Sequence, residues 1–185
     1  LITVFLHGMH ARSLVKAVGE SSRVLLGAGF VLLFTVPMVR ILINSGVNAA
    51  DLPSMPIAMA KWVADSVGNV YPLLAPSVGA LGAFIAGSNT VSNMMLSQFQ
   101  FGVATSLGIS TAMVVAVQAI GAAAGNMVAI HNVVAASATV GLLGREGAIL
   151  RKTFWPTVYY VLMTGTVAMI AIYVLGVSDP LLAAS

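Results

Sequence analysis

The sequence predicts an all-α polytopic membrane protein that combines transmembrane helices with a re-entrant helical hairpin and a broken helix. Of its 185 residues, 59% are hydrophobic and 7% are charged, whereas a soluble globular domain usually carries about 25% charged residues. From Ser66 to Gly144 there is no Asp, Glu, Lys or Arg. That region is too long for one crossing of about 20 residues, and polar and glycine-rich breaks interrupt it.

The composition excludes several classes of function. The net charge is +3, but the eight Lys and Arg residues are scattered and form no basic patch, so we expect no nucleic-acid partner. The chain has no Cys, which excludes disulfide frameworks, thiolate catalysis and Cys-based metal centres. We expect no metal and no cofactor. The chain begins at Leu1, and we interpret it as a piece of a longer polypeptide.

The positions of the charges divide the chain into seven segments. In order, we expect a cytoplasmic amphipathic segment (1–23), a transmembrane span (24–43), an external loop with an interfacial helix (44–70), a re-entrant hairpin (71–107), a broken transmembrane helix (108–144), a cytoplasmic loop (145–152) and a last span (153–178). The orientation follows from the Lys and Arg residues before the first span and in the loop before the last, because short cytoplasmic loops are enriched in these residues.

The polar centre of the predicted hairpin is its most informative feature. Residues 87–93, which we call the tip, read GSNTVSN between two apolar legs that are short for full spans. Irregular backbone at membrane depth persists only when it is buried in protein or lines a wet cavity. Ser and Asn are good N-caps, so the second leg should begin here, with the positive end of its dipole facing the cavity. The carboxylate of a small anion would bind there.

The following segment is too long for one straight span and should break near its polar residues. Gly121 and Gly125 form a small-xxx-small step that allows close helix packing. Asn126, His131 and Asn132 follow, where a lipid-facing helix would be apolar. We call residues 125–132 the break. Discontinuous helices of this kind flank substrate and ion sites in many secondary transporters.

These patterns give a set of candidate site residues. The candidate substrate ligands are polar side chains of the tip and the break, namely Ser88, Asn89, Thr90, Ser92, Asn93, Asn126 and Asn132. His131 is the only side chain in the charge-free region that titrates near neutral pH, which makes it the candidate for proton coupling. If sodium is the coupling ion, oxygens of Ser88, Asn89 and Thr90 would bind it.

Simple packing is the alternative for several of these residues. Gly121 and Gly125 are predicted helix-packing residues, Gln118 is more typical of an interhelical hydrogen bond than of a ligand contact, and His131 could be a neutral, hydrogen-bonded imidazole. Packing alone does not require two Ser-Asn pairs four residues apart, as at Ser88 and Ser92.

Functions of other classes have less support. An intramembrane hydrolase would have to use Ser88 and His131, but no carboxylate in the apolar region could orient the histidine. We therefore expect no catalytic residue and no enzyme. An anion channel lacks a charged ring or a repeated filter signature. A purely structural subunit would leave the polar tip unexplained.

Three stretches carry a resemblance to a known family. They are GAFIAGSNTVSN (Gly82 to Asn93), GAAAGNMVAIHNVVAASATVGLLGREG (Gly121 to Gly147) and ILRKT (Ile149 to Thr153). They resemble the C-terminal part of the L-lactate permease family, bacterial inner-membrane proton symporters of lactate and related 2-hydroxy monocarboxylates such as glycolate. More distantly, the SNT tripeptide at 88–90 is similar to the hairpin-tip motif of the divalent anion:sodium symporters.

The resemblance implies that the chain is half of an inverted-repeat transporter in the bacterial inner membrane, with several spans. Its expected partners are lactate or glycolate, protons, membrane lipid and the missing N-terminal half of the same protein. That half would hold the rest of the site. A sodium-coupled organic anion carrier and a channel-like anion pathway remain as alternatives.

Overall fold

The computed structural model of the chain describes Gly8 and residues 10–179, and at 23–25, 27–32 and 35 it describes the backbone alone. This part contains seven α-helices: α1 (Ala11–Ile43), α2 (Met55–Val67), α3 (Tyr71–Ala86), α4 (Asn89–Leu107), α5 (Thr111–Gly125), α6 (Ile130–Thr139) and α7 (Glu146–Met169). Short 3₁₀ turns lie at Asn44–Gly46 and Gly68–Val70, and a π-helical turn, Ile170–Val174, follows α7. The described residues include no strand, so the all-α prediction is confirmed.

Two helical runs in the described part are long and apolar enough to cross a membrane. They are Met55–Ala86 and Glu146–Val174, and α5 with α6, bent by 48°, would make a third. The second run contains most of the predicted last span. The first joins the predicted interfacial helix to the first leg of the predicted hairpin, although Gly68 interrupts helical geometry there with φ 60° and ψ −141°. The lengths and apolarity of these runs are those of a membrane protein.

Contacts divide the chain into two units, Leu1–Ile41 and Leu42–Ser185. The described part of the first unit is helical from Ala11 onward, with no interruption between the predicted cytoplasmic segment and the predicted span. Residues 1–7 and 9 of the predicted segment 1–23 lie outside the described residues, as do many side chains of the predicted span 24–43. These two predictions are therefore untested.

In the second unit, glycines bring the backbone of α3 against two other helices. A Cβ atom added at Gly121 of α5 would lie 2.0 Å from the carbonyl oxygen of Pro76, and one at Gly125 would lie 2.2 Å from that of Ala80. Gly165 of α7 lies equally close to the backbone of α3. Since lipid tails are as apolar as leucine, helices in membranes gain association energy from such close packing.

The interior of this unit is built from small side chains and a few larger ones. Its core consists of Ala60, Ala64, Tyr71, Ala75, Phe99, Val103, Ala104, Val114, Val117 and Ala168. Large apolar side chains point outward instead, among them Leu81, Ile85, Trp155 and Tyr159. Apolar outer faces suit helices whose surroundings are lipid or further protein.

Helices α3 and α4 form an antiparallel hairpin. Ser92 near the start of α4 contacts Gly79 and Gly82 near the end of α3, whereas Gln100, further along α4, contacts Tyr71 at the start of α3. Gly87 and Ser88 alone separate the two helices. The hairpin therefore carries the tip at one end, and α5 packs along its side.

Candidate functional site

The tip is a tight reversal built by one glycine and one cap. Gly87 ends α3 in the left-handed conformation (φ 61°, ψ 21°), and its N–H donates to the carbonyl oxygen of Ala83 at 2.6 Å. Ser88 is extended and caps α4, because its hydroxyl accepts a hydrogen bond from the Val91 N–H at 3.3 Å. The first N–H groups of α4, which have no acceptor within the helix, therefore lie at the reversal.

Within the break, residues 126–129 form a short non-helical connection between α5 and α6. Helix α5 ends at Gly125, and α6 begins at Ile130 with its axis turned by 48°. The Met127 N–H donates to the Ala124 carbonyl at 3.1 Å, and the Val128 N–H donates to the Gly125 carbonyl at 3.2 Å. These two backbone bonds hold the connection in a compact turn. The side chains of Asn126 and Asn132, on either side of the turn, are not used in these bonds.

The tip and the break meet at Gly87. The imidazole of His131 lies so close that a Cβ atom at Gly87 would be 1.0 Å from Nε2. The Asn132 amide nitrogen donates to the Gly87 carbonyl and to the side-chain oxygen of Asn126, both at 3.3 Å. Side chains from both ends of the break thus converge on the hairpin reversal.

The remaining predicted tip residues occupy different surroundings. Asn93 donates from its amide nitrogen to the side-chain oxygen of Asn89 at 3.1 Å. The side-chain oxygen of Asn93 is buried and has no hydrogen-bond donor among the described residues. Thr90 is exposed, whereas Ser92 is fully buried between helices. The structure brings most of the predicted residues into one region and sets Ser92 apart.

Behind the tip, buried polar side chains connect three helices. We call Tyr71, Gln100, Gln118 and Ser92 the polar ladder. Tyr71 donates to the side-chain oxygen of Gln100 at 2.5 Å, Gln100 donates to that of Gln118 at 2.8 Å, and Gln118 donates to the Ser92 hydroxyl at 3.2 Å. All four are at most 1% exposed. The prediction that Gln118 makes interhelical hydrogen bonds is confirmed.

Sequence reasoning missed Gln100 and Tyr71 as members of this group. One signal was present, because Gln100 and Ser92 are eight residues apart on an apolar helix and therefore lie on the same face. Their partners on α3 and α5 depend on how the helices are rotated about their axes, which the residue spacing on one helix does not specify.

A second buried polar contact connects the end of the chain to the start of α5. The Asp179 carboxylate accepts hydrogen bonds from the backbone N–H of Thr111 at 2.6 Å and from its hydroxyl at 2.5 Å. The Ser110 hydroxyl accepts from the Met113 N–H of the same turn. A negative charge at a helix N-terminus is favourable because the helix dipole is positive there.

An apolar cavity of about 570 Å³ lies between α3 and α7. Its walls include Leu81, Phe84, Phe154 and Val161, with Val128 of the break at one side. A carboxylate placed there would lose its hydration without gaining hydrogen bonds. The polar region where the tip meets the break is therefore the better candidate site for an anion.

Electrostatics at the candidate site come from dipoles rather than from charged side chains. No Asp, Glu, Lys or Arg occurs from Ser66 to Gly144, and the described residues contain no cluster of three His, Asp or Glu that could hold a metal ion. The N-terminus of α4 carries a partial positive charge. The arrangement can thus bind a small anion through N–H groups, amides and the His131 ring.

Comparison with known proteins gives one family and several relatives. A model of the family described as L-lactate permease matches residues 1–175. The putative L-lactate permease of Haemophilus influenzae is 39% identical over 107 residues, which make up 58% of this chain and 20% of that protein. The L-lactate permease of Salmonella typhi is 32% identical over 108 residues, again 58% of this chain and 20% of that protein.

A glycolate permease also matches. The glycolate permease GlcA of Escherichia coli is 29% identical over 107 residues, 58% of this chain and 19% of that protein. The chain therefore matches about a fifth of the length of these relatives. No solved structure shows significant similarity to the chain.

Proposed function

Because this chain belongs to the L-lactate permease family, we propose that the protein containing it is a secondary active transporter. Its substrates are L-lactate and related small 2-hydroxy monocarboxylates such as glycolate, and it carries them across the bacterial inner membrane together with protons. Relatives that bear the names L-lactate permease and glycolate permease support this substrate class.

The meeting of the tip and the break at Gly87 is the observation that carries the proposal. A monocarboxylate needs several hydrogen-bond donors in a region without charged side chains, and three kinds converge there. They are the first N–H groups of α4, the amide of Asn89, and the ring of His131. Asn132 lies beside them but already donates to Gly87 and Asn126, so it would have to give up one of these bonds to reach a substrate. Ser88, Thr90, Asn93 and Asn126 complete the proposed binding residues.

The proposed arrangement in the membrane extends the fold that the structure describes. The hairpin of α3 and α4 enters the membrane and returns to the same side, so its tip lies at membrane depth next to the break. An inverted repeat in the remainder of the polypeptide supplies the other half of the site. Irregular backbone at this depth is then shielded by protein on both sides.

His131 is the proposed coupling residue. Its ring lies against the backbone of Gly87, and no other side chain from Ser66 to Gly144 has an ordinary pKa near neutrality. A protonated imidazole would partly neutralise the bound carboxylate, so proton and lactate would bind together and leave together. Both would then cross as a neutral pair.

Reconstitution of the full-length protein tests this function. Purified protein in liposomes should take up labelled lactate saturably, and an inward proton gradient should drive accumulation above the external concentration. Unlabelled glycolate should compete, whereas a dicarboxylate should compete poorly. Uptake that neither saturates nor runs uphill would favour a channel-like pathway, and an absence of lactate uptake would contradict the proposal.

Replacing His131 with Gln tests the coupling step separately. Gln keeps a hydrogen-bonding side chain of similar reach but cannot gain a proton, so we expect accumulation driven by a pH gradient to disappear. Exchange of internal for external lactate should continue, because exchange needs no net proton movement. Uphill uptake with the normal pH dependence in this variant would exclude His131 as the proton carrier.

A sodium-coupled carrier is the second candidate, and one observation favours it. The buried side-chain oxygen of Asn93 has no donor among the described residues, and sodium prefers neutral oxygen ligands of this kind. Replacing external sodium with choline at constant pH distinguishes the two candidates. Lactate accumulation that collapses without sodium would support sodium coupling, whereas unchanged accumulation would support protons.

A further inference from the structure

Ser92 belongs to the repeated Ser-Asn spacing of the tip, but its side chain lies in the polar ladder between helices. Its hydroxyl donates to the Gly79 carbonyl at 2.9 Å and accepts from the Gln118 amide at 3.2 Å. The side chain is 0% exposed. Both functions of the hydroxyl are thus used between helices, and a substrate at the tip could reach it only by breaking these bonds.

Gln118 is similarly committed to its neighbours. Its side-chain oxygen accepts from Gln100, its nitrogen donates to Ser92, and it is 0% exposed. Its backbone also lies against α3, since a Cβ atom at Gly79 would be 2.3 Å from the Gln118 carbonyl oxygen. Gln118 therefore contacts both helices of the hairpin at the level of Ser92.

We propose that Ser92 and Gln118 are positioning residues that join the hairpin to α5, so that the tip and the first half of the broken helix move as one body. This inference rests on the proposed transport function for its effect on lactate. Neither side chain contacts the substrate. The ladder fixes the distance from the tip to the end of α5, and the relative motion of transport takes place elsewhere.

The buried hydrogen bonds of the polar ladder resist separation of α4 from α5. Amides and hydroxyls in a non-aqueous interior have no water to replace a lost partner, so separating α4 from α5 would leave several buried polar groups unsatisfied. The glycine contacts between α3 and α5 add close packing over the same length. A hairpin held on two sides in this way cannot slide past α5 without breaking both sets of contacts.

A double-mutant cycle in the full-length protein tests the role of the two residues. We expect Ser92→Ala and Gln118→Leu each to raise the KM for lactate about 3- to 10-fold, the effect of losing one or two hydrogen bonds. Because the residues act through one contact, the double variant should be no worse than the worse single variant. The maximal rate per folded protein should change less than twofold.

The same measurements separate positioning from the two rival roles. If Ser92 touched lactate directly, its effect would multiply with that of Gln118→Leu. If the ladder only stabilised the fold, the variants would lower the amount of folded protein, measured by fluorescence-detected gel filtration, without changing the KM. Ser97→Ala makes the same substitution on α4 outside the ladder and serves as the matched control, with an unchanged KM.

A distance measurement tests the proposal without relying on transport. Spin labels at Met94 on α4 and Ile120 on α5, both partly exposed, report the separation of the two helices. The distance distribution should be narrow and the same with and without lactate, and Gln118→Leu should broaden it. A wild-type distance that shifts with lactate or with pH would overturn the single-body proposal, even if the protein transports lactate as proposed.

Discussion

Gly87 is the residue of the candidate site that leaves no space for an added Cβ atom. Its left-handed backbone favours glycine, and the ring of His131 occupies the space in which any side chain would start. Backbone strain and contact with His131 are therefore two separate requirements. They can be distinguished because the glycine that follows α4, Gly108, has the first requirement without the second.

We expect Gly87→Ala to impair lactate transport by more than tenfold per folded protein, because the new methyl group displaces His131 from the tip. The control is Gly108→Ala, whose φ of 65° is similar to that of Gly87 but which has no atom within 4 Å of the added Cβ. Both variants carry a similar strain of about 1–2 kcal/mol. Equal transport rates in the two variants would show that the contact with His131 is unimportant.

Asn89 provides the test of ligand binding at the tip. Removing its amide with Asn89→Ala should weaken lactate binding about 5- to 150-fold, the effect of losing a buried hydrogen bond of about 1–3 kcal/mol. The fold should persist, since the side chain of Asn89 hydrogen-bonds within α4, to Asn93, and holds no other helix in place among the described residues. Asn69→Ala, at an exposed residue of the 3₁₀ turn, is the control. If calorimetry shows an unchanged affinity for lactate, Asn89 contributes to packing and does not bind the substrate.

At the level of elements, the contact of α5 with α3 depends on the absence of side chains. Gly121→Leu would place a Cβ atom 2.0 Å from the Pro76 carbonyl oxygen, so the helices must separate and lose their packing. We expect a severalfold lower yield of folded protein after detergent extraction. Gly147→Leu, with no atom within 4 Å of the added Cβ, should leave the yield unchanged. A normal yield for Gly121→Leu would mean that close approach is dispensable.

Sequence predicted the starts and ends of these elements where residues close in the chain mark them. The first leg of the predicted hairpin, from residue 71 to the tip, covers the residues of α3, which has Pro72 in its first turn and Gly87 after its last residue. The Ser-Asn cap placed the start of α4 at the tip. These signals are local in the chain, so the sequence alone contains them.

The features that sequence did not predict depend on tertiary structure. Tyr71 and Gln100 meet only because the two legs have a particular rotation about their axes. Ser92 has the same chemical identity as Ser88 and stands four residues from it, yet one faces the helix interface and the other caps the reversal. Residue type predicted that both serines form hydrogen bonds, but it did not predict which partner each serine has.

The orientation of the whole molecule in the membrane can be tested with single introduced cysteines, because this chain contains no Cys. We expect the loop 145–152 to be cytoplasmic and residues 44–65 to be external, because of the distribution of Lys and Arg. Cysteines at Val47, which is 89% exposed, and at Gly147 should then differ in reaction with an impermeant thiol reagent. In intact spheroplasts, Val47→Cys should be labelled and Gly147→Cys should not.

Permeabilised cells provide the control for this experiment, since both cysteines should then react. The opposite pattern in intact spheroplasts would reverse the orientation of every helix, and labelling of both would show that the loop 145–152 is not protected. Either result would leave the packing of α3, α4 and α5 unchanged, because that packing does not depend on which side faces the cytoplasm.

The hydrogen bonds between Asp179 and Thr111 can form only late in protein synthesis. The two residues are 68 positions apart, so at about 5–20 residues per second the ribosome needs roughly 3 to 14 s to progress from one to the other. During that interval the Ser110 hydroxyl, which is next to Thr111 in the chain, can already accept its hydrogen bond from the Met113 N–H in the first turn of α5. The carboxylate of Asp179 is synthesised after α7, so the hydrogen bonds that it accepts at the first residue of α5 form after the rest of that helix has been made.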